Sequence, residues 1–356
     1  MSYRGFDWIL FFAIVGLGCM SLALLSSAAP EFASKQLLFY GILLLLILFG
    51  SQIKWSSILR QSIFVQLFYW GSLVLLLFAF FEGTVVRGAR SWIIIGGNQF
   101  QPSELAKIAL ILILAGFFMK RYIAAWNFKN IFLSFLYVAI PGGIIALQPD
   151  FGSAMVVFGI WVGFLLMSGM HVKRFFMLAG ACVLGFVCLW SFVLMPYQKD
   201  RITGFMSPER DPLGINYNII QSKIAIGSAG FFGKGFGEGT QIHFNFLPEF
   251  HADFFFAAFV EEWGILGGIA LISLYFLIIH RVLLIGRRSK TNDAKFIALG
   301  TSTLLVIHFL VNIGSNLGIV PVTGITLPFL SYGGSSLLTL GLLMGIIENI
   351  RLESSN

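Results

Sequence analysis

Asp253 is the residue whose surroundings best suit it to chemistry. It ends the polar segment 247–253, LPEFHAD, and directly precedes the apolar run 254–256, FFF. An apolar wall beside a carboxylate raises its affinity for a proton, which suits the group to act as a general base. A position at a helix start also suits an N-cap, and the two roles can coexist. Asp253 is therefore the candidate catalytic residue, and Glu249 of the same segment is a candidate substrate-binding residue.

A second candidate site is an acid–base pair inside an apolar stretch. Glu104 and Lys107 lie in QPSELAK, residues 101–107. At a spacing of i, i+3 they share a helix face and can form an ion pair. A charged side chain within the hydrocarbon costs about 2.5–3.5 kcal/mol on insertion scales and usually faces the bundle interior. The pair is either a structural ion pair that fixes helix packing or the polar wall of a cavity open to the outer face.

Other polar residues give weaker indications. Glu261 and Glu262 are adjacent, so on a helix their carboxylates point in different directions and are expected to find separate partners on neighbouring helices. His243 and His251 do not have the spacing of metal ligands. The residues alone therefore predict no metal site.

The composition requires an integral membrane protein. Of the 356 residues, 58% are hydrophobic and only 11% are charged, whereas an average soluble protein has about 25% charged residues. A compact soluble fold could not cover so much apolar surface, which excludes a soluble enzyme, a disordered chain and a nucleic-acid-binding domain. Cys19, Cys182 and Cys188 all lie in apolar runs, and we expect them to be buried thiols without a disulfide.

Ten apolar segments are long enough to cross a membrane, which takes about 20 residues. We expect an all-α integral membrane protein in which about ten transmembrane helices form a single polytopic domain, residues 1–356. The segments are 7–27, 34–50, 61–81, 103–119, 131–147, 153–170, 174–195, 254–280, 296–319 and 328–350.

The basic residues predict the orientation. One set of connections, with both termini, holds 14 Lys and Arg residues, whereas the short loops of the other set hold only Lys35, Arg87 and Arg90. Cytoplasmic loops carry the excess of Lys and Arg, so both termini are predicted to be cytoplasmic. One long extracytoplasmic loop, 196–253, then joins spans 7 and 8. Within it, residues 216–227 predict a short interfacial helix, and the closely spaced glycines that follow indicate either a flexible loop or a backbone that approaches a headgroup.

Several separated motifs on the outward side form a recognisable set. This set closely resembles the shape, elongation, division and sporulation family, and the stretch from 197 to 241 is similar to its elongation branch. The resemblance covers nearly the whole chain. Besides the segment that ends at Asp253, the motifs are GARSWI at 88–93, QPSELAK at 101–107, QPDFGSA at 148–154, DPLG at 211–214, IIQSKIAIGS at 219–228, GTQ at 239–241 and PFLSYGGSS at 328–336.

The resemblance implies a ten-span peptidoglycan glycosyltransferase of the bacterial cytoplasmic membrane. Such enzymes polymerise lipid II, a disaccharide-pentapeptide on undecaprenyl diphosphate, into glycan strands at the outer face of the membrane during cell elongation. They work with a class B penicillin-binding protein, which supplies the transpeptidase, and with other membrane proteins of the elongation complex. The family's essential Asp falls on Asp253, and its polar cavity pair falls on Glu104 and Lys107.

The implied reaction needs a base and positive charge. Asp253 would take the proton of the attacking sugar hydroxyl, and a single base of this kind predicts inversion at the anomeric carbon. The leaving diphosphate needs cations near the outer mouth, with a divalent ion, Mg²⁺ or Mn²⁺, as an open alternative. The candidate cations are Lys107, Arg90, Arg201, Arg210, Lys223 and Lys234.

The sequence departs from the family at two motifs. Ala252 stands where a Thr often precedes the essential Asp, so a hydroxyl there cannot be required. Ser91 stands where many members have a basic residue before the Trp, with Arg90 one place earlier, which leaves the role of Arg90 open.

Two other functions remain as alternatives: a lipid II flippase, and a scaffold without catalytic activity that positions the transpeptidase. A transporter predicts charge near the bilayer midplane and often an inverted repeat. Here the charged motifs cluster at the outer end, and no convincing repeat is found.

Overall fold

Helices dominate the fold, which is described by a computed structural model over residues 5–60, 62–86, 88–121, 127–168, 172–192, 199–200, 203–205, 214 and 216–355. Three short strands lie between the fourth and fifth helices: β1 Thr84–Val86, β2 Ala89–Ile95 and β3 Asn98–Phe100. The helices are α1 Trp8–Ala28, α2 Pro30–Gly50, α3 Trp55–Arg60, α4 Ser62–Glu82, α5 Pro102–Arg121, α6 Phe128–Leu147, α7 Phe151–Met167, α8 Val172–Phe192, α9 Tyr217–Ser228, α10 Thr240–His243, α11 Phe255–Arg288, α12 Asn292–Asn316 and α13 Gly334–Ser355.

Among the described residues, eight helices are long and apolar enough to cross a membrane: α1, α2, α4, α5, α6, α11, α12 and α13. The 17-residue α7 and the apolar part of α8, Cys182–Phe192, are shorter. Each of the ten predicted segments overlaps one of these ten helices. The chain is therefore a mostly helical, multi-pass membrane protein. The predicted start of the last segment at 328 is too early, because residues 328–333 are not helical and α13 begins at Gly334.

The prediction of an all-α fold is wrong for the connection between α4 and α5. Here β1, β2 and β3 form an antiparallel sheet in that order. Ile95 pairs with Asn98 across Gly96 and Gly97, whose φ angles are 57° and 79°. Two-residue hairpin turns with positive φ at both positions match the twist of the strands, and glycine adopts them without strain. Strands of three to seven residues are too short to be found by a search for spans.

The long helix α11 is broken at Gly264, where φ is 72° and ψ is −175°. A break inside a membrane leaves backbone groups without helical partners, and each must be satisfied by other protein groups. The glycine-rich loop 230–235 supplies those partners. Four hydrogen bonds join the two segments: Lys234 N to Glu261 O (2.9 Å), Gly235 N to Glu262 O (3.1 Å), Ile265 N to Gly230 O (3.1 Å) and Leu266 N to Phe231 O (3.3 Å).

Substitution of Gly264 tests this contact. A Cβ on Gly264 would lie 2.3 Å from the backbone nitrogen of Gly233, and its φ is costly for any other residue. We expect Gly264→Ala to lower the free energy of unfolding by more than about 2 kcal/mol, measured as a lower melting temperature in detergent. Gly71→Ala in α4 is the matched control, because a Cβ there meets nothing within 4 Å. Equal melting temperatures for the two variants would contradict the described packing.

Two features of the bundle matter for the site. Buried residues occur on all sides of α5, from Pro102 to Phe118, so α5 is a central helix whose charges must find partners inside the protein. On the other side, α2 packs closely on α13, where a Cβ on Gly345 would lie 2.8 Å from the carbonyl oxygen of Leu46. Small residues allow membrane helices to approach in this way.

The cysteines and α9 are two further features that the sequence analysis addresses. Cys19, Cys182 and Cys188 are free but exposed on helix surfaces; the prediction of burial is wrong because lipid accepts an apolar side chain as readily as the protein interior does. α9 forms where residues 216–227 predict a helix, and the hydroxyl of Ser222 donates to the carbonyl of Asn316 at 2.8 Å. This contact attaches α9 to the end of α12, while its place at a membrane interface stays a prediction.

Candidate functional site

Asp253 lies in a tight turn immediately before α11. The helix begins at Phe255 with Phe254 as its N-cap, so Asp253 is one residue outside the capping position and the N-cap interpretation is wrong. The N–H of Asp253 donates to the carbonyl of Glu249 at 3.2 Å. Its side chain is partly exposed, and its Oδ2 lies against the backbone of Gly324, where a Cβ would be 3.9 Å away. Asp253 thus lies at the start of a buried, phenylalanine-rich helical turn, with Oδ1 of its carboxylate buried and the residue as a whole partly exposed.

Two buried asparagines of α12 hold the backbone of Asp253. The side-chain amides of Asn312 and Asn316 donate to the Asp253 carbonyl at 3.0 and 2.9 Å, and Asn312 also donates to the carbonyl of Ile325 at 2.8 Å. Oδ1 of Asn316 accepts the N–H of Ala257 at 3.0 Å, one of the first-turn N–H groups that lack a partner within the helix. Because the two amides are only 1% and 0% exposed, they fix the position of Asp253 from inside the bundle.

Asn312 should therefore affect activity by holding Asp253 in position. Asn312→Leu removes the donor to the Ile325 carbonyl and one of the two donors to the Asp253 carbonyl. A buried carbonyl left unsatisfied costs about 1–3 kcal/mol of stability. We expect kcat for the reaction proposed below to fall at least tenfold, with little change in KM. The matched control is Asn349→Leu, which removes a buried amide that donates to the Ser51 carbonyl at 3.0 Å. An equal loss of kcat per folded molecule in both variants would show that Asn312 acts only on stability.

The connection before α13 packs against the Asp253 turn. The hydroxyl of Ser331 donates to the carbonyl of Ala252 at 2.6 Å, and the N–H of Tyr332 donates to the carbonyl of His251 at 2.8 Å. From α2, the amide of Gln36 donates to the carbonyl of Ser331 at 3.2 Å. The segments LPEFHAD and PFLSYGGSS, far apart in the sequence, thus form one structural unit.

The predicted ion pair of α5 is present and has a third member. Nζ of Lys107 lies 2.7 Å from Oε1 of Glu104 and 3.3 Å from Nε2 of His308. Nδ1 of His308 lies 2.9 Å from the carbonyl oxygen of Thr326, so Nδ1 carries a proton and Nε2 is left to accept from the ammonium. Lys107 and Glu104 are 1% and 9% exposed. The void that Glu104 and His308 line is about 10 Å³, close to the space of one water molecule. The role of Glu104 and Lys107 as the wall of a substrate cavity stays a prediction.

Asp150 joins α5 to α7 close to this pair. Its Oδ1 accepts the N–H of Ser153 at 3.0 Å, which caps α7, and its Oδ2 accepts from the amide of Gln101 at 2.9 Å. Burial raises the pKa of the Asp150 carboxyl above its ordinary value. Gly152 lets the connection before α13 approach, because a Cβ there would lie 2.5 Å from the carbonyl oxygen of Thr323. The motif QPDFGSA therefore lies between the start of α5 and that connection.

Two predicted cations have protein partners elsewhere. Arg90 lies exposed on β2, and its Nη1 donates to the carbonyl of Phe81 at 3.3 Å. Nζ of Lys234 lies 2.6 Å from Oε1 of Glu261 and 2.7 Å from Oγ1 of Thr240. Because the Glu261 side chain is 0% exposed, this ammonium neutralises a buried carboxylate at the break of α11. A part for either cation in substrate binding stays a prediction.

The remaining candidates lie apart from one another and have different partners. Glu262 has separate partners, as predicted: the hydroxyl of Ser27 on α1 donates to it at 2.8 Å, and Nε2 of His243 lies 3.4 Å away. Oε2 of Glu249 lies 4.0 Å from Nε2 of His251, and its side chain is 33% exposed. Lys223 is exposed on α9. Arg201 and Arg210 lie outside the described residues, as does the segment DPLG except for Gly214.

The sequence reading missed the polar stripe of α12. His308, Asn312 and Asn316 are spaced at i, i+4, i+8, which places them on one helix face, and all three are at most 2% exposed. Through Ile325 and Thr326 the stripe contacts consecutive carbonyls of the connection before α13. It therefore links the Lys107 pair to the Asp253 turn. A search for polar residues at helical spacing within an apolar span would have found it.

Metal ligands are not grouped in the described ranges. Over these ranges, no three His, Cys, Asp or Glu side chains are placed so that they could hold a metal ion together.

Comparison with known proteins agrees with the motifs. The family model FTSW_RODA_SPOVE, described as cell cycle protein, matches residues 6–356. The chain is 41% identical over 269 residues, 75% of its length, to the peptidoglycan glycosyltransferase MrdB of Escherichia coli, of which it covers 72%. It superposes with a TM-score of 0.83 and 31% identity on a chain from “Structural coordination of polymerization and crosslinking by a peptidoglycan synthase complex”, covering 98% of both chains.

A second solved structure has the same fold. The crystal structure of the rod shape determining protein RodA of Thermus thermophilus is 27% identical, with a TM-score of 0.73 over 99% of this chain and 98% of that one. The resemblance predicted from the motifs is confirmed by these matches over nearly the whole chain. The chain belongs to the FtsW, RodA and SpoVE family of cell cycle proteins.

Proposed function

We propose that the protein is a peptidoglycan glycosyltransferase that polymerises lipid II at the outer face of the cytoplasmic membrane during cell elongation. The observation that carries the proposal is the setting of Asp253: the residue is partly exposed, Oδ1 of its carboxylate is buried, and its backbone carbonyl is held by two buried amides. A general base must be held in place relative to its substrate, and this turn supplies such a support. The name of the Escherichia coli relative, peptidoglycan glycosyltransferase, agrees with this reading.

In the proposed reaction Asp253 takes the proton from a sugar hydroxyl. The hydroxyl oxygen forms a bond to the anomeric carbon of the lipid-linked donor, and the bond from that carbon to the diphosphate oxygen breaks. A single base that acts on the nucleophile gives inversion at the anomeric carbon.

Positive charge at the diphosphate is the second requirement. Lys107 is the proposed cation of the bundle interior, with Glu104 and His308 holding its ammonium. Arg90, Lys234 and Glu249 are proposed to contact substrate at the outer surface. Mg²⁺ in such sites is commonly held by one or two carboxylates together with substrate phosphates. Among the described residues the carboxylates are not grouped into a metal site, which fits an ion held mainly by the substrate. Mg²⁺ or Mn²⁺ would then arrive with the diphosphate and neutralise its charge.

The proposed topology follows the distribution of basic residues. The protein would cross the bacterial cytoplasmic membrane ten times as one domain, with α7 and α8 as the sixth and seventh spans and both termini in the cytoplasm. The loop 196–253 would then lie outside, with α9 at the membrane interface. A class B penicillin-binding protein is the proposed partner, since the similar chain of known structure comes from work on a synthase complex that couples polymerization to crosslinking.

Purified protein in detergent tests this function. Incubated with lipid II and divalent cation, it should form glycan polymer although no membrane separates two compartments. A flippase would form none and would instead move lipid II across vesicle bilayers. A scaffold would form none by itself, and addition of a catalytically inactive transpeptidase would not produce polymer. Either of these results would contradict the proposal.

A further inference from the structure

A second pocket lies at the other end of α5 from Glu104. It has a volume of about 300 Å³ and is lined by residues of α3, α4, α5, α6 and α12. Lys120 and Arg121 line it from the last turn of α5, 16 residues after Glu104 and therefore about 24 Å further along the helix. The positive-inside rule assigns this end of the bundle to the cytoplasm. The pocket is thus distinct from the candidate catalytic site.

The lining of this pocket has an apolar part and a charged rim. Leu112, Ile113 and Phe117 of α5 supply apolar wall. The guanidinium of Arg121 lies over the ring of Phe117, 4.5 Å from its centroid, and this cation–π contact holds the charge beside that wall. Within the part of the chain that the structure describes, no ion pair engages Lys120 or Arg121.

The charge and depth of the pocket indicate its ligand. Two cations and one carboxylate, that of Asp293, line it, so its balance favours a ligand with net negative charge. The positive-inside rule explains why basic residues occur at this end, but it does not require them to border a cleft with walls from five helices. Basic pockets between transmembrane helices on the cytoplasmic side are suited to anionic lipid headgroups, while the apolar wall can receive an acyl chain.

We propose that this pocket binds an anionic phospholipid of the inner leaflet. The lipid phosphate contacts Lys120 and Arg121, and an acyl chain lies along Leu112, Ile113 and Phe117. The proposal depends on the orientation of the bundle and not on the role of Asp253, so the two can fail separately.

Native mass spectrometry of the purified full-length protein, titrated with lipid in detergent, tests the site. Phosphatidylglycerol should bind in preference to phosphatidylcholine. Lys120→Gln with Arg121→Gln removes both cations that line the pocket, so it should weaken phosphatidylglycerol binding by at least about tenfold. The control pair is Arg287→Gln with Arg288→Gln, two exposed arginines in the last turn of α11, which should change binding less than twofold.

Asp293 supplies an independent arm that does not remove a cation. Asp293→Asn should tighten phosphatidylglycerol binding several-fold, because it removes a repelling carboxylate. The assignment of an anionic ligand would be overturned if phosphatidylethanolamine bound more tightly than phosphatidylglycerol and Asp293→Asn weakened its binding. Equal effects of the two double variants would overturn the site. Competition by inorganic phosphate at millimolar concentration as effective as that of lipid would show a free-anion site instead. Melting temperatures check that the variants fold. If Lys120→Gln with Arg121→Gln does not fold, the effect of Asp293→Asn on phosphatidylglycerol binding decides whether the proposal holds.

Discussion

Asp253→Asn is expected to lower the rate of lipid II polymerisation by about 10²–10⁴-fold, the usual contribution of general base catalysis. The substitution keeps the shape of the side chain and leaves the backbone carbonyl that Asn312 and Asn316 hold. Expression and melting temperature should therefore stay close to those of the unaltered protein. The rate is measured with purified protein and lipid II, with binding of lipid II followed separately.

A matched control removes the same charge elsewhere. Glu31 is exposed in the first turn of α2, and Glu31→Gln should leave the rate unchanged. Substantial polymer from pure Asp253→Asn protein would refute the assignment of the base. Loss of lipid II binding together with loss of rate would move Asp253 from the chemical step to substrate binding.

The second large effect is expected at the ion pair of α5. Lys107→Met leaves Glu104 as a buried carboxylate without its closest cation, and breaking a buried pair costs about 3–5 kcal/mol of stability. Glu104→Gln with Lys107→Met removes both charges and should restore most of the lost free energy of unfolding. We expect the double variant to fold but to polymerise at least tenfold more slowly, because the proposed cation at the diphosphate is missing.

That double variant distinguishes a pair that only stabilises helix packing from a pair whose lysine supplies positive charge at the diphosphate. Full activity of Glu104→Gln with Lys107→Met would mean that the pair only stabilises the fold. Asp7→Asn with Arg281→Met is the matched control: it removes a second ion pair, which joins α11 to the residue that caps α1. Its rate per folded molecule should equal that of the unaltered protein.

Apolar runs and separated motifs allowed much of this fold to be predicted. Each of the ten predicted segments overlaps a helix because a span must be continuously apolar over its whole length. The Glu104–Lys107 contact was predictable because it depends only on helical spacing within one element. Gly96 and Gly97 are typical of a hairpin turn, but the strands beside them are too short to form an apolar run of the length that predicts a span.

Contacts between distant segments could not be predicted. The break at Gly264 requires carbonyl and N–H groups of the loop 230–235, and no sequence pattern near Gly264 indicates that this loop is the partner. The sequence around Lys234 does not indicate its buried partner, Glu261, which lies 27 residues away in the chain. The support of Asp253 by Asn316 likewise depends on how α12 packs beside the start of α11. Such contacts follow from tertiary packing rather than from local pattern.

The pH dependence of polymerisation is the most direct test of the central assignment. For a single general base the rate of the unaltered protein should fall about tenfold for each pH unit below the pKa of the base. The residual rate of Asp253→Asn, measured with excess protein over long incubations, should lack this acidic limb. The same acidic limb at the same pH in both proteins would show that another group takes the proton.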